Sequence, residues 1–123
     1  MNDTRRNGSV ALVLGFLAAA LLSQGADAQG VDSANYMVPG CQKFLGRSTD
    51  EIYAQGRCVG VVDALAFVSG DLPSNLRFCF PQEVTTGQSI RVAVPYIERH
   101  PQRRHEDFRL IALEAFHEAW PCN

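Results

Sequence analysis

The sequence predicts an all-α fold, a small disulfide-stapled domain of about four helices. Two capping boxes, in which Ser or Thr is followed three residues later by Glu or Gln, begin at Ser48 and Thr85. An apolar stripe at spacings of three and four occupies the last twenty residues. Four cysteines in a chain of 123 residues complete the pattern, because small exported domains use disulfides to supplement a small core.

Residues 1–28 are predicted to be a cleaved signal peptide. Arg5 and Arg6 form a basic start, and an apolar run follows over residues 10–22. Residues 26–28, Ala-Asp-Ala, then place small side chains where a signal peptidase reads them, so we expect cleavage before Gln29 and export to the periplasm. An uncleaved membrane anchor is the alternative, and the shortness of the apolar run disfavours it.

Residues 29–123 are predicted to form a single small domain. The chain has a formal net charge of −2, and the signal peptide carries equal numbers of basic and acidic side chains. This weak acidity gives no reason to expect binding to nucleic acid or to an anionic membrane surface. No later segment is long and apolar enough to span a membrane, so we expect no membrane association after signal cleavage.

The predicted second helix follows an irregular start. Residues 30–40, "GVDSANYMVPG", show no period and are predicted to be an arm, and "CQKFLG" is predicted to be a short helix ending at Gly46. The Ser48 capping box predicts a helix over 49–69. A strand over "CVGVVDALAFV" is the alternative. One side of the helix is predicted to carry Ile52, Gly56, Val59, Val62 or Asp63, and Ala66.

Two glycines lie inside this predicted helix, where glycine is unfavourable. Gly56 and Gly60 each cost a helix about 1 kcal/mol relative to alanine. The cost predicts that another backbone approaches closely at these positions.

The last two helices are the most regular part of the pattern. A loop over 70–81, "GDLPSNLRFCFP", precedes the Thr85–Gln88 capping box. The third helix carries Pro95 and is predicted to end at His100, and Pro101 is predicted to open the fourth. The apolar face of the third helix is predicted to comprise Ile90, Ala93 or Val94, and Ile97. The stripe of the fourth helix comprises Phe108, Ile111, Ala112, Ala115, Phe116 and Ala119.

The cysteines are predicted to form two disulfides. With one or two residues between them, the third and fourth helices should form an antiparallel hairpin, which places Cys79 beside Cys122 and leaves Cys41 for Cys58. Zinc is the competing interpretation. The absence of a C-x-x-C pair disfavours it.

The residues offer no convincing catalytic set. The chain has no Gly-rich phosphate loop, no G-x-S-x-G and no H-E-x-x-H. His105 and His117 would lie about 18 Å apart on one helix and could not share a metal. Asp63 lies in an otherwise apolar helix, where an inward carboxylate could be catalytic, but a solvent-facing one is commoner. We therefore expect a binding protein rather than an enzyme, with no metal and no cofactor.

The cysteine frame resembles a known family. The segments "SANYMVPGCQKFL", "GRCVGVVDAL", "FCFPQEVTTGQSIRVAVPYIERHP" and "ALEAFHEAWPC" contain the ordered set C…C-x-G…C-x-P…Q…H-P…P-C. Together they resemble the Rap/Tai family of immunity proteins over nearly all of residues 29–123. The resemblance implies a small all-helical periplasmic protein, often a homodimer. It also implies that the protein binds and blocks a peptidoglycan amidase toxin delivered by a type VI secretion system.

A small periplasmic stress chaperone, resembling the acid-stress chaperones, is the alternative. A lysine-rich tail would favour it, and Lys43 is the single lysine. For a protein partner, the contacts are predicted in the loop 70–81 and the segment 101–108. Leu76 and Phe78 could instead pack under the loop. The candidate contacts are three apolar anchors and three arginines: Leu72, Leu76, Phe78, Arg77, Arg103 and Arg104.

Overall fold

The computed structural model describes residues 30–123, and the predicted signal peptide lies outside them. The described part contains four α-helices and no strand, which confirms the all-α prediction: α1 Ala34–Leu45, α2 Ile52–Val68, α3 Thr86–Glu98 and α4 Phe108–Ala119. Short 3-10 helices occupy Gly30–Asp32, Ser69–Asp71 and Pro101–Arg103. Within residues 30–123, no helix has both the length and the apolar character that a membrane crossing requires.

The core forms where α1 packs on α2 and α3 packs on α4. Aromatic and branched aliphatic side chains fill it, and burying each contributes about 1.5–3 kcal/mol. The predicted stripe of α4 is confirmed from Phe108 to Phe116, whereas Ala119 is exposed at the end of the helix. The largest fully buried side chains are Phe78, Phe108, Phe116, Ile90, Ile97 and Ile111.

The first helix is longer than the sequence predicts. Residues 34–40, predicted to be an irregular arm, form the first half of α1. Ser33 caps the helix by accepting a hydrogen bond from the backbone of Tyr36. The amides of Ala34 and Asn35 donate to carbonyl groups in the loop before α4, at 2.9 and 2.8 Å. The start of α1 therefore depends on distant carbonyl groups, which no local pattern reveals.

The predicted capping box at Ser48 is wrong. The helix begins at Ile52, its N-cap residue Glu51 has φ of 53°, and no side chain caps it. Glu51 binds Lys43 at 2.7 Å, so its carboxylate cannot fold back onto the helix start. The backbone turn is held by Gln55, whose side-chain amide donates to the carbonyl groups of Ser48 and Asp50.

The predicted inner side of α2 is wrong at Ile52 and Gly56, whereas Val62 is buried and Val59 packs against the core. The disulfide between Cys41 and Cys58 turns Cys58 inward, and the residues sharing its side are Gln55, Val62 and Leu65. Of the predicted set, Val62 is buried, while Ile52 and Gly56 face outward. A Cβ added at Gly56 or Gly60 would meet no atom within 4 Å, so the predicted backbone approach does not occur within residues 30–123.

The third helix follows its prediction, whereas the fourth begins later than predicted. Both hydrogen bonds of the Thr85–Gln88 capping box form, and Pro95 lies inside α3. Pro101 opens a short 3-10 helix, and α4 begins only after Asp107, whose carboxylate accepts from the amide of Arg109. The intervening carbonyl groups of Arg104 and Glu106 bind the start of α1, so they cannot join α4. The connection therefore covers residues 99–107 rather than one or two residues.

Candidate partner-binding surfaces

Two disulfides stiffen the domain, with the predicted pairing. Cys41–Cys58 joins α1 to α2 and is fully buried. Cys79–Cys122 joins the loop before α3 to the chain end, and Cys79 is exposed. The predicted pairing is therefore confirmed, although the connection between α3 and α4 covers residues 99–107 and not the predicted one or two residues.

The loop 70–81 is anchored by an aromatic cluster. Phe78 is 1% exposed, and its ring centroid lies 5.3 Å from that of Phe116 and 4.8 Å from that of Phe80. Trp120 packs edge-on against Phe80 at 4.7 Å, and its carbonyl accepts from the amide of Cys79. Phe78 is thus a core residue, as the packing alternative predicts, and its side chain leaves almost no surface for a partner.

The outer part of this loop keeps the predicted contacts accessible. Leu72 and Leu76 are half-buried and Arg77 is exposed. The Arg77 Nε donates to the carbonyl of Leu72 at 3.0 Å. The Arg77 carbonyl lies 2.6 Å from Nδ1 of His117, and since a carbonyl only accepts, Nδ1 carries the proton. The first bond closes segment 72–77 on itself, and the second attaches it to the end of α4.

Arg103 forms ion pairs within the chain. Its guanidinium binds Glu106 at 2.7 Å and Glu114 at 2.5 Å. The hydrogen bond from Arg103 lowers the pKa of Glu114, and also that of Glu106, while the two carboxylates raise the pKa of Arg103. Burial, and then the Glu114 charge, raise the pKa of Tyr96 beside them. A partner would have to compete with these bonds for Arg103, so the predicted contact loses much of its attraction.

Arg104 is half-buried, and its backbone serves the fold. Its carbonyl accepts from the amide of Asn35 at the start of α1. Its side-chain Nε is buried and has no hydrogen-bond partner within residues 30–123.

The two predicted contact segments lie at opposite ends of α4. Just before the helix, Asp107 forms an isolated antiparallel β-bridge with Ser33. Just after the helix, Pro121 forms one with Phe78. The twelve residues of α4 separate these points by about 18 Å. The structure therefore does not bring segment 101–107 and loop 70–81 into one patch.

A third surface was missed by the sequence reasoning. Tyr53 and Phe67 on α2 are 74% and 88% exposed, and Ile52 beside them is 65% exposed. Between the two aromatic rings, at spacings of three and four, lie small residues. We call this surface the Gly60 face and define it as Tyr53, Gly56, Gly60, Ala64 and Phe67.

A sequence signal for this face exists. The only amide or charged side chains in α2 are Gln55, Arg57 and Asp63. A helix that is apolar all round is normally buried all round, yet this one is covered on one side only within the described chain. Asp63, at the edge of the face, is exposed and accepts a hydrogen bond from Thr86 at 2.6 Å. The sequence predicts only one apolar side for α2, so its second, exposed apolar side is not predicted.

The chemistry of these surfaces is that of protein recognition. Among residues 30–123, no group of three or more His, Cys, Asp and Glu side chains is arranged to hold a metal ion. What remains accessible is apolar area with scattered arginines, the composition that protein interfaces favour.

Comparison with known proteins gives one match. A family model described as Rap1a immunity proteins matches residues 33–122. The match begins at the N-cap residue of α1 and ends at Cys122, so it includes all four helices and both disulfides. No curated protein and no solved structure matches the chain.

Proposed function

We propose that this chain, which belongs to the Rap1a immunity protein family, binds and inhibits a peptidoglycan amidase effector of a type VI secretion system. Membership of the family carries the immunity role and a protein effector as partner. The amidase and its delivery system come from the resemblance of the cysteine frame. We also propose that the protein forms a homodimer, as that resemblance implies.

The site of action in this proposal is the periplasm. The predicted signal peptide over residues 1–28 supports export, and two disulfides suit an oxidising compartment. An amidase that cleaves peptidoglycan acts in the same compartment, so inhibitor and effector would meet there.

The mechanism proposed is occlusion, without catalysis by the inhibitor. A blocker gains affinity when its contact loop is ordered before binding, because ordering a loop during binding costs free energy. The segment 72–77 meets this condition, since Cys79–Cys122, the buried Phe78 and the His117 bond all hold it. Leu72 and Leu76 supply apolar contact. The terminal nitrogens of Arg77 make no hydrogen bond within residues 30–123 and can bind acceptors on the effector.

The test is co-expression of the exported protein with amidases encoded beside its gene. We expect the wild type to bind one of them and to protect cells from lysis. The double variant Leu76→Ala/Arg77→Ala should bind at least tenfold more weakly, since each lies on the outer loop. Arg91→Ala removes an exposed arginine from α3 instead and serves as the matched control. If no amidase binds at micromolar concentration and lysis proceeds, the proposal fails.

One observation favours the chaperone alternative. Tyr53 and Phe67 expose large apolar surface, which a chaperone could offer to unfolded clients. This alternative predicts that the protein suppresses aggregation of unrelated proteins across a range of pH, and that Phe67→Ser weakens the suppression. A binder dedicated to one effector would leave such aggregation unchanged.

A further inference from the structure

The end of α2 carries a large apolar side chain that nothing in residues 30–123 covers. Phe67 is 88% exposed, more than any other large hydrophobic residue among them. Leu65, two residues earlier, is buried in the core, which fixes this turn of the helix. A partner could therefore bury Phe67 without first ordering the backbone around it. Burying an aromatic ring of this size is a large favourable contribution to binding.

Two carboxylates flank Phe67. Asp63 lies one helical turn before it and Asp71 four residues after it, and both are exposed. The Thr86 hydroxyl donates to Oδ1 of Asp63 at 2.6 Å, whereas Oδ2 makes no hydrogen bond within residues 30–123. Within the same residues neither aspartate forms an ion pair. We define the Phe67 patch as Asp63, Phe67 and Asp71.

The Phe67 patch adjoins the loop that is proposed to contact the effector. Residues 69–71 form a 3-10 helix directly after α2, so helical backbone joins Phe67 to Leu72. At 1.5–2.0 Å per residue, the Cα atoms of these two residues lie about 8–10 Å apart. Arg77, at the far end of the loop, folds back so that its Nε donates to the Leu72 carbonyl. The patch and the loop therefore fall within the span of one interface of standard size.

The size of protein interfaces requires more surface than the loop supplies. Each side of a specific interface contributes roughly 20–30 residues and about 800 Å². The segment 72–77 has six residues, and the next residue along the chain, Phe78, is buried. The contact must therefore extend beyond the loop, and the Phe67 patch is the adjoining surface that offers an exposed aromatic anchor.

We propose that Phe67 is a second anchor for the amidase effector and enters its substrate cleft, with Asp63 and Asp71 against basic side chains at the edge of that cleft. This inference rests on the proposed function and adds a partner contact outside the loop 70–81. Peptidoglycan peptides carry free carboxylate groups, so a cleft that receives them has to offer cationic or other hydrogen-bond donors. The two aspartates present the same charge to those donors. The complementary site is an apolar pocket bordered by Lys or Arg.

The other end of α2 provides the matched control. Tyr53 is 74% exposed, so it is also an uncovered aromatic side chain of the same helix. It lies 14 residues before Phe67, about 21 Å along the helix and away from the loop 70–81. The charged residue one turn after Tyr53 is Arg57, so its surroundings have the opposite charge. A contact centred on Phe67 predicts that Tyr53 contributes little.

The experiment measures binding of the exported chain, residues 29–123, to the amidase encoded beside its gene. Phe67→Ala should weaken binding at least tenfold, whereas Tyr53→Ala should stay within twofold of the wild type. Both side chains are exposed and alanine favours a helix, so both variants should fold with the Tm of the wild type.

A second variant tests the charge of the patch. Asp63→Asn keeps an oxygen that can accept from Thr86 but removes the negative charge. At low salt it should slow association with the amidase at least twofold, and the difference should vanish at high salt, because salt screens attraction between exposed charges. Asp50→Asn is the matched control, since it removes an exposed carboxylate that lies before the start of α2. An association rate equal to that of the wild type for Asp63→Asn overturns the proposed basic border of the cleft.

The outcomes separate this inference from the proposed function. If the wild type binds an amidase and Phe67→Ala binds it equally well, the inference fails and the proposed function stands. If the wild type binds no amidase, both fail. A Phe67→Ala variant that keeps its affinity for the amidase but loses self-association, or loses suppression of aggregation, assigns the patch to a second copy or to unfolded clients and overturns the inference.

Discussion

Gly40 of α1 lies directly against the main-chain carbonyl group of Ala54 in α2. A Cβ built on Gly40 would lie 2.7 Å from that carbonyl carbon and closer still to its oxygen, a distance that real Cβ atoms do not adopt. The disulfide between Cys41 and Cys58 begins one residue away and holds the two helices at this separation. The obstacle is backbone rather than a flexible side chain, so it cannot move aside.

Gly40→Ala is therefore expected to destabilise the fold by about 1–3 kcal/mol, the usual cost of overpacking. Gly56→Ala is the matched control, because it replaces a glycine of a neighbouring helix that faces open space. This control should stabilise the monomer by about 0.5–1 kcal/mol through helix propensity. Urea unfolding at low protein concentration measures both. Equal midpoints for Gly40→Ala and the wild type would contradict the prediction.

The glycines show how far sequence reasoning could go. A helical glycine indicates that a backbone approaches, and this physical rule is correct for Gly40. From sequence alone the same rule points to Gly56 and Gly60, because Gly40 lies in a segment predicted to be irregular. That segment is helical because carbonyl groups of the loop before α4 accept from the first amides of α1, a contact between residues about 70 positions apart. Local patterns carry no information on such a contact.

The two predicted capping boxes give a second comparison. The Thr85 hydroxyl accepts a hydrogen bond from the backbone amide of Gln88, and the Gln88 side-chain oxygen accepts one from the backbone amide of Thr85. Ser48, in contrast, caps no helix. Thr85→Ala should therefore lower the free energy of unfolding by about 1 kcal/mol. Ser48→Ala should change it by less than about 0.5 kcal/mol, as most surface substitutions do. Thermal or urea unfolding measures the free energy of unfolding of both variants. A loss for Ser48→Ala as large as that for Thr85→Ala would contradict this interpretation.

The candidate surfaces were only partly predictable, for a related reason. The sequence identified the loop 70–81 from its turn residues, and the structure leaves Leu72, Leu76 and Arg77 accessible there. The sequence also predicts Arg103 as a partner contact, but in the structure two carboxylates from different elements bind it. The Gly60 face was missed because burial of one side of α2 was decided by Cys58, whose pairing orients the helix. Accessibility of each residue follows from packing, which composition and spacing do not specify.

The two disulfides are expected to differ in their rate of reduction. Attack by an external thiolate requires access to a sulfur atom. Cys41 and Cys58 are fully buried, whereas Cys79 is exposed and Cys122 half-buried at the chain end. Mild dithiothreitol under native conditions should therefore open Cys79–Cys122 first. Alkylation followed by peptide mass spectrometry measures this, with denaturing conditions as the control in which both open. Preferential labelling of Cys41 and Cys58 would contradict the prediction.

Loss of the outer disulfide should also weaken the fold. The Cys79→Ala/Cys122→Ala variant frees the chain end and the loop that Phe78 anchors, and removing a native bridge from a small domain typically costs 2–5 kcal/mol. Thermal unfolding of the variant and of the wild type, both in oxidising buffer, measures the difference in Tm. An unchanged Tm for the variant would show that the aromatic cluster alone holds the chain end.

The ion pair between Arg103 and Glu114 predicts how stability responds to acid. The hydrogen bond from Arg103 lowers the pKa of Glu114 below its ordinary value of 4.5 in the folded chain. The unfolded chain therefore binds a proton at higher pH than the folded chain does, so stability falls as pH drops below about 4.5 and through the folded pKa. Above that window the ion pair contributes its full stabilisation. The Glu114 side chain is 38% exposed, which limits this stabilisation to at most about 1 kcal/mol.

Glu114→Gln should thus be slightly less stable than the wild type at pH 7, and the difference should shrink toward pH 3. Glu118→Gln is the matched control, since it changes an exposed glutamate of the same helix that makes no ion pair within residues 30–123. Urea unfolding at a series of pH values measures the three proteins, and a Glu114→Gln difference that grows in acid would show that the sign is wrong.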